Sequence, residues 1–290
     1  MAQTTTTTLA TIIPTEMIVP EVIREARPFN VVAPLVINGT LPKGKGPVWS
    51  KPKLPTTSAA SVAEAADITA TARTTTEANV TVSEVGLSTE VTLLAEETAA
   101  IPPAVLDWAG NQGRAIAQKI TGDLCALFAG LNASSAIGTS GTNLTVANFL
   151  EAMYTLDAAN APGRKVCVLH PRQVSDLFAA VIAAGGAVYH NLAELIREGR
   201  LPSGTPDAGF VGDLFGVPIY STTEVDTANS AADYAGAMFV KEAMAFVQLR
   251  PITVEYDSDK SARSTEIIVH TAYGVGEVVE LYGVPLVTDA

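Results

Sequence analysis

The feature that most constrains this chain is a long opening stretch that cannot build a core of its own. Residues 1 to 30, "MAQTTTTTLATIIPTEMIVPEVIREARPFN", combine a threonine run with prolines and isolated apolar residues, without a sustained helical or strand period. This reads as an extended arm, yet Ile12, Ile13, Met17, Ile18 and Val19 are too apolar for a solvated tail and must pack on something. Residues 39 to 58, "GTLPKGKGPVWSKPKLPTTS", have turn-and-loop composition, with Lys43, Lys45, Lys51 and Lys53 around a single aromatic, Trp49. The following "NVTVSEVGLSTEVTL" alternates like a strand. Together these segments predict a long two-stranded excursion. A hairpin alone in water is marginal, so its stability must come from neighbours. About eighty residues of arm and hairpin that bury little by themselves are ordered only against other chains, and this predicts a homo-oligomer whose subunits are laced together.

The rest of the chain folds conventionally. It has 290 residues, 48% of them hydrophobic, enough for a substantial core. After Pro102 and Pro103, the apolar residues Val105, Ala109, Ile116, Ile120, Leu124, Leu127 and Leu131 recur every three or four positions, which predicts one long amphipathic helix. Its Gly110, Gly113 and Gly122 are either sites of close backbone approach or merely tolerated. A second helix follows in "TNLTVANFLEAMYTLDAANAPG", capped by Thr145 and stopped at Pro162-Gly163. "RKVCVLH" reads as a buried strand, and "PRQVSDLFAAVIAAGG" as a helix from Pro171 to Gly185-Gly186. "RPITVEYD" and "STEIIVHTAYGVGEV" form a final strand pair with "SDKSAR" at its exposed tip. The class is α+β.

Signals for chemistry are sparse. Lys and Arg number 18 against 30 Asp and Glu, a net charge of -12, which opposes a DNA-coating surface or a sequence-reading DNA binder. Cys125 and Cys167 lie in apolar surroundings and read as buried reduced thiols. The three histidines, His170, His190 and His270, do not have metal-ligand spacing, so no metal site is expected. "GTSGT" around Ser140 fails as a nucleophile elbow because the closing glycine is Thr142. Glu96-Glu97 and Asp257-Asp259 lack a basic or histidine partner in sequence and read as solvated or inter-subunit charges. The Gly274-Val275-Gly276 turn has Val279 where a dinucleotide fingerprint needs its third glycine. No catalytic residue, cofactor site or enzyme activity is therefore expected. Without a signal-peptide pattern or an apolar run near 20 residues, the chain is expected to be soluble, to associate with no membrane and to assemble in the cytoplasm.

The order of these elements resembles the major capsid proteins of tailed bacteriophages, with the Hong Kong ninety-seven fold. The local carriers are "RKVCVLHPRQVSDL", "GDLFGVPIYSTTEV", "AMFVKEAMAFV" and "ITVEYDSDKSARSTEIIVHTAYGVGEVVELYGVPLV". The resemblance implies an N-terminal arm over 1–38, an extended loop over 39–80 and a peripheral domain over 81–164 with its spine helix at 103–131. It further implies an axial domain over 165–246, peripheral strands over 247–277 and a return to the axial domain over 278–290. Gly274 and Gly276 would let a strand twist on that return. The implied partners are the chain itself, as hexamers and pentamers in an icosahedral shell, with scaffolding, portal and cement proteins, around double-stranded DNA held without sequence-specific contacts. Inter-subunit contacts would fall to Ile12, Ile13, Met17, Ile18, Lys43, Lys45, Trp49, Lys51, Lys53, Asp257, Asp259, Lys260 and Arg263. No inter-subunit cross-link is expected from the loop lysines. A nanocompartment shell enclosing enzymes, and an oligomeric nucleotide-binding enzyme using the glycine-rich turns at 209–216 or 274–276, are the alternatives.

Overall fold

The computed structural model describes residues 29–53, 74–94, 104–183, 209–230 and 232–289, with residues 59, 61, 62, 67 and 72 between them; over 104–109 it describes backbone alone. The arm positions Ile12, Ile13, Met17 and Ile18, together with Glu96, Glu97, Gly185, Gly186 and His190, lie outside these residues.

In chain order the elements are β1 (Ile37–Thr40), β2 (Val48–Lys53), β3 (Thr76–Thr81), β4 (Ser83–Thr92), α1 (Ala104–Cys125), α2 (Val146–Ala158), β5 (Lys165–Leu169) and α3 (Pro171–Ala183). They continue with β6 (Phe210–Leu214), β7 (Val217–Ser221), β8 (Thr227–Ala228), β9 (Asp233–Val240), β10 (Met244–Asp259), β11 (Ser264–Glu277) and β12 (Gly283–Asp289). Among the described residues they form three sheets. One has the order β1-β10-β11-β4, one β12-β9-β5-β7-β6 with β8 beside β9, and β2 pairs with β3 alone. The α+β class holds, with helices and sheets segregated along the chain.

Strand β5 shows how sequence divides the core. Its five residues, Lys165-Val-Cys-Val-Leu169, alternate between two faces, and the last four are buried. Val166 and Val168 join the core under α1, with Ile116, Ile120, Leu124 and Phe239. Cys167 and Leu169 face the second core, formed with Phe149 and Leu156 of α2 and Leu177 of α3. A strand covered on both sides reads as a continuous apolar run. The fully buried Phe128, Phe149 and Phe239 each contribute about 2–3 kcal/mol through burial.

Helix α1 ends at Cys125, earlier than its apolar period suggests. A 3₁₀ turn at Phe128–Gly130 takes over, and it keeps Phe128 and Leu131 in the core although the α-helix has stopped. Gly130 sits under Glu277: a Cβ there would lie 3.1 Å from the carboxyl carbon. Gly122 has no such constraint, because an added Cβ would meet only Glu224 Oε2, at 3.9 Å, so it is the tolerated kind. Helix α2 is capped as its sequence predicts, with the Asn148 N–H donating to Thr145 Oγ1 at 3.2 Å. It ends before Pro162-Gly163, because Asn160 adopts a left-handed φ of 51°. Strand β10 begins at Met244 rather than near residue 250, so the last hairpin runs from the core to an exposed tip without interruption of the chain.

Candidate assembly surfaces

The base of the β2–β3 excursion is anchored on the body of the chain. Trp49 pairs with Val80 and Val48 with Thr81, and these base residues lie over β10 and β11, with Ala78 and Val80 packed among Ala245, Val247 and Val278. Trp49 itself is half-buried: a Cβ on Gly39 would touch its indole Nε1 at 3.3 Å. Trp49, Lys51 and Lys53 share one face of β2, as the strand period requires, and all three are half-buried. Lys53 lies close enough to Glu277 to oppose the upward push that burial and Glu280 exert on that carboxyl. Lys43 and Lys45 are fully exposed in the turn before β2, beside Gly44 and Gly46 at φ of 87° and 84°. Thus Trp49 and Lys53 have partners in their own chain, and Lys43 and Lys45 point to solvent.

The Gly274-Val275-Gly276 stretch belongs to this anchor. Both glycines sit inside β11, with Gly274 opposite Val247 and Gly276 opposite Ala245. A Cβ on Gly276 would lie 2.8 Å from Val80 Cγ2, so the glycines admit the hairpin's base where a twist was expected. No space for a phosphate remains between them and Val80. The other glycine-rich turn is a β-hairpin: Phe215 and Gly216, at φ of 53° and 81°, form a two-residue loop between β6 and β7.

The β10–β11 tip carries the remaining sequence candidates. Asp259 Oδ1 accepts from Ser261 N (2.7 Å), Ser261 Oγ (2.6 Å) and Ala262 N (3.1 Å), and these bonds hold its carboxyl below the usual carboxylate range. Asp257, Lys260 and Arg263 are exposed, and Arg263 has a left-handed φ of 52° that closes the loop. Behind the tip, Asp257 stands opposite Glu266 and Glu266 opposite Glu90, so three carboxylates form one row across β10, β11 and β4. Glu255, Glu84 and Asp259 lie on the same face by the two-residue period. The other face, with Val254, Ile267 and Val269, is buried under α1. Like charges placed directly opposite one another destabilise a sheet, so the row of Asp257, Glu266 and Glu90 is a point of repulsion on this face.

Several tightly held residues give no sequence signal. Gln173, fully buried, has Nε2 within hydrogen-bond distance of Tyr234 O (3.0 Å), Leu286 O (3.0 Å) and Thr288 Oγ1 (2.8 Å), three acceptors that share its two N–H groups, and so ties α3 to β9 and β12. Asp233, also buried, accepts from Asn229 Nδ2, from the Ser140 hydroxyl and from Gly141 N at 2.9 Å, so the "GTSGT" segment is a loop pinned to β9. His170 stacks on Tyr234 with centroids 3.6 Å apart. Cys125 and Cys167 are free and buried, and burial pushes both thiols well above their ordinary pKa. Among the described residues no group of three His, Cys, Asp or Glu side chains is placed to hold a metal, and no helix is long and apolar enough to cross a membrane.

No protein-family model and no curated protein matches the sequence. Solved structures do match. The capsid of the cyanophage P-SCSP1u is similar over 88% of this chain and 86% of its own, with a TM-score of 0.64 and 15% identity. The capsid of Ralstonia phage GP4 gives a TM-score of 0.63 at 12% identity, over 88% and 87% of the two chains. A virus-like particle from Pyrococcus furiosus gives 0.57 at 10% identity, over 93% of this chain and 98% of that one. The chain has the fold of these shell proteins.

Proposed function

We propose that the chain is the major capsid protein of a tailed phage, which assembles with copies of itself into an icosahedral shell around double-stranded DNA. The observation that carries this reading is the fold's likeness to phage capsids over nearly the whole chain, with a β2–β3 hairpin that forms a sheet of its own. In this reading residues 1–38 are the arm, 39–80 the extended loop, 81–164 and 247–277 the peripheral domain, and 165–246 with 278–290 the axial domain of the capsomers. The role is structural rather than enzymatic. Scaffolding, portal and cement proteins are its further partners, and assembly takes place in the host cytoplasm before the shell joins the virion.

Charge complementarity supports a particular contact. The acidic row Asp257, Glu266 and Glu90 fits the lysine-bearing loop of a neighbouring subunit, with Lys43 and Lys45 free to reach it. Each such contact is weak, and a shell gains stability by repeating it. A nanocompartment shell enclosing enzymes is the second reading of the same fold, which a virus-like particle from Pyrococcus furiosus shares. Electron microscopy of the purified full-length protein tests both. Uniform shells with five-fold and six-fold capsomers support a shell protein, and their contents, DNA or enzymes, separate the two readings. A small compact oligomer under every assembly condition would overturn both.

A further inference from the structure

The long β10–β11 hairpin is regular at both ends and irregular in one place. Its register runs unbroken from Met244–Glu277 to Gln248–Tyr273 and again from Thr253–His270 to Asp259–Ser264, but it shifts between Gln248 and Arg250 and between Arg250 and Thr253. Leu249, Pro251 and Ile252 are left without β11 partners at the bulge, where a strand bends and twists more strongly. The bulge divides the hairpin by what it carries. Its inner half lies under the base of the β2–β3 hairpin, and its outer half bears the acidic row and the tip.

A single histidine sits at this division. His270 is 8% exposed, and its Nε2 lies 3.2 Å from Arg250 Nη1 and 3.7 Å from Glu255 Oε1. Arg250 also donates from Nη2 to Glu84 Oε1 at 2.7 Å, which links β10 to β4. Across from His270, β4 has Gly86, where a Cβ would lie 3.0 Å from His270 Cβ and 3.2 Å from the Val269 carbonyl oxygen, so the two strands approach closely here. On this face the neighbouring charges among the described residues are Arg250 and Glu255 of β10, Glu84 of β4 and Glu266 of β11. A guanidinium can only donate, so this 3.2 Å contact is a hydrogen bond when Nε2 accepts, with the ring neutral and its proton on Nδ1.

We propose that His270 and Arg250 form a proton-operated latch at the bulge. With the ring neutral, Arg250 bridges His270 and Glu84 and holds β10, β11 and β4 in one arrangement. A proton added at Nε2 removes the acceptor and sets two cations against each other. The imidazolium then donates to Glu255, Arg250 keeps Glu84 alone, and the bulge relaxes, changing the angle between the outer hairpin and the half that carries β2–β3. The latch lies within one subunit, so it does not depend on the shell reading.

Amide hydrogen exchange on the full-length chain, held at one oligomeric state verified by sedimentation, tests the latch at about pH 8 and pH 5.5, the range in which histidine changes charge. After correction for intrinsic chemical rates, the amides of 252–254 should exchange about tenfold faster at the lower pH, with α2 unchanged as internal reference. His270→Gln supplies an amide oxygen that accepts from Arg250 at both pH values and should abolish the difference. Should that variant fail to fold, Arg250→Gln removes the opposing cation and should abolish it equally. Equal exchange at both pH values in the natural chain, acceleration that extends to α2, or acceleration that persists in the folded variant would each overturn the proposal.

Discussion

Gly274 lies directly beneath Thr81: a Cβ on the glycine would stand 2.9 Å from the Thr81 carbonyl carbon and 3.1 Å from Val80 Cγ1. The nearest atoms in the way, those of the Thr81 carbonyl, are backbone and cannot swing aside. Gly274→Ala must lift β3 from the sheet or bend β11, and overpacking of this kind costs about 1–3 kcal/mol. Chemical denaturation should show the loss, and limited proteolysis should show faster cleavage within the β2–β3 excursion. Unchanged values in both would mean that the hairpin does not rest on β11.

Asp233 gives the fold an acid-sensitive point. Its carboxylate accepts from Asn229, Ser140 and Gly141, and these hydrogen bonds hold its pKa below the ordinary aspartate value. A depressed folded-state pKa stabilises the fold above the unfolded value, about 4, and this contribution is lost as pH falls through the folded value. The melting temperature of the natural chain should therefore drop as pH is lowered below about 4. Asp233→Asn should be less stable near neutral pH and should show a shallower drop, measured by thermal unfolding across that range.

Thr145 is the cap of α2 and its removal should be felt locally. Thr145→Ala leaves the Asn148 N–H without its side-chain acceptor and should cost about 1 kcal/mol, while Thr145→Ser should retain most of the stability. Urea denaturation of the two variants separates a cap effect from a packing effect, since only the alanine loses the hydroxyl.

Elements with a local cause were legible in the sequence. The Thr145 cap, the apolar run of β5 and the alternation of β3 and β4 each follow from neighbouring residues alone. Features with a distant cause were not. Gly274 and Gly276 suggested a turn or a twist because their partner, Val80, is nearly two hundred positions earlier. The end of α1 was misplaced because Phe128 and Leu131 remain buried after the α-helix gives way to a 3₁₀ turn, and periodicity reports burial rather than hydrogen bonding. Trp49 and Lys53, expected at inter-subunit contacts, each also have a neighbour in their own chain that only folding brings near. The acidic row was partly visible: Asp257 stands out, but Glu266 and Glu90 join it only through strand register.

That row separates what stabilises a subunit from what would assemble a shell. Glu266 stands between Asp257 and Glu90, so Glu266→Gln removes two like-charge contacts and should stabilise the isolated subunit by a few tenths of a kcal/mol. If a neighbour's lysines use the row, the same change should weaken assembly, and Lys43→Gln with Lys45→Gln should weaken it without affecting subunit stability. Both assembly defects should shrink as salt rises, because exposed pairs are screened within about 8–10 Å near physiological ionic strength. Thermal unfolding of subunits and light scattering of assembly reactions measure the two effects separately. A Glu266→Gln subunit that is more stable and assembles as well as the natural chain would show that the row is a cost carried for some other contact, and the lysine loop would have to find its partner elsewhere.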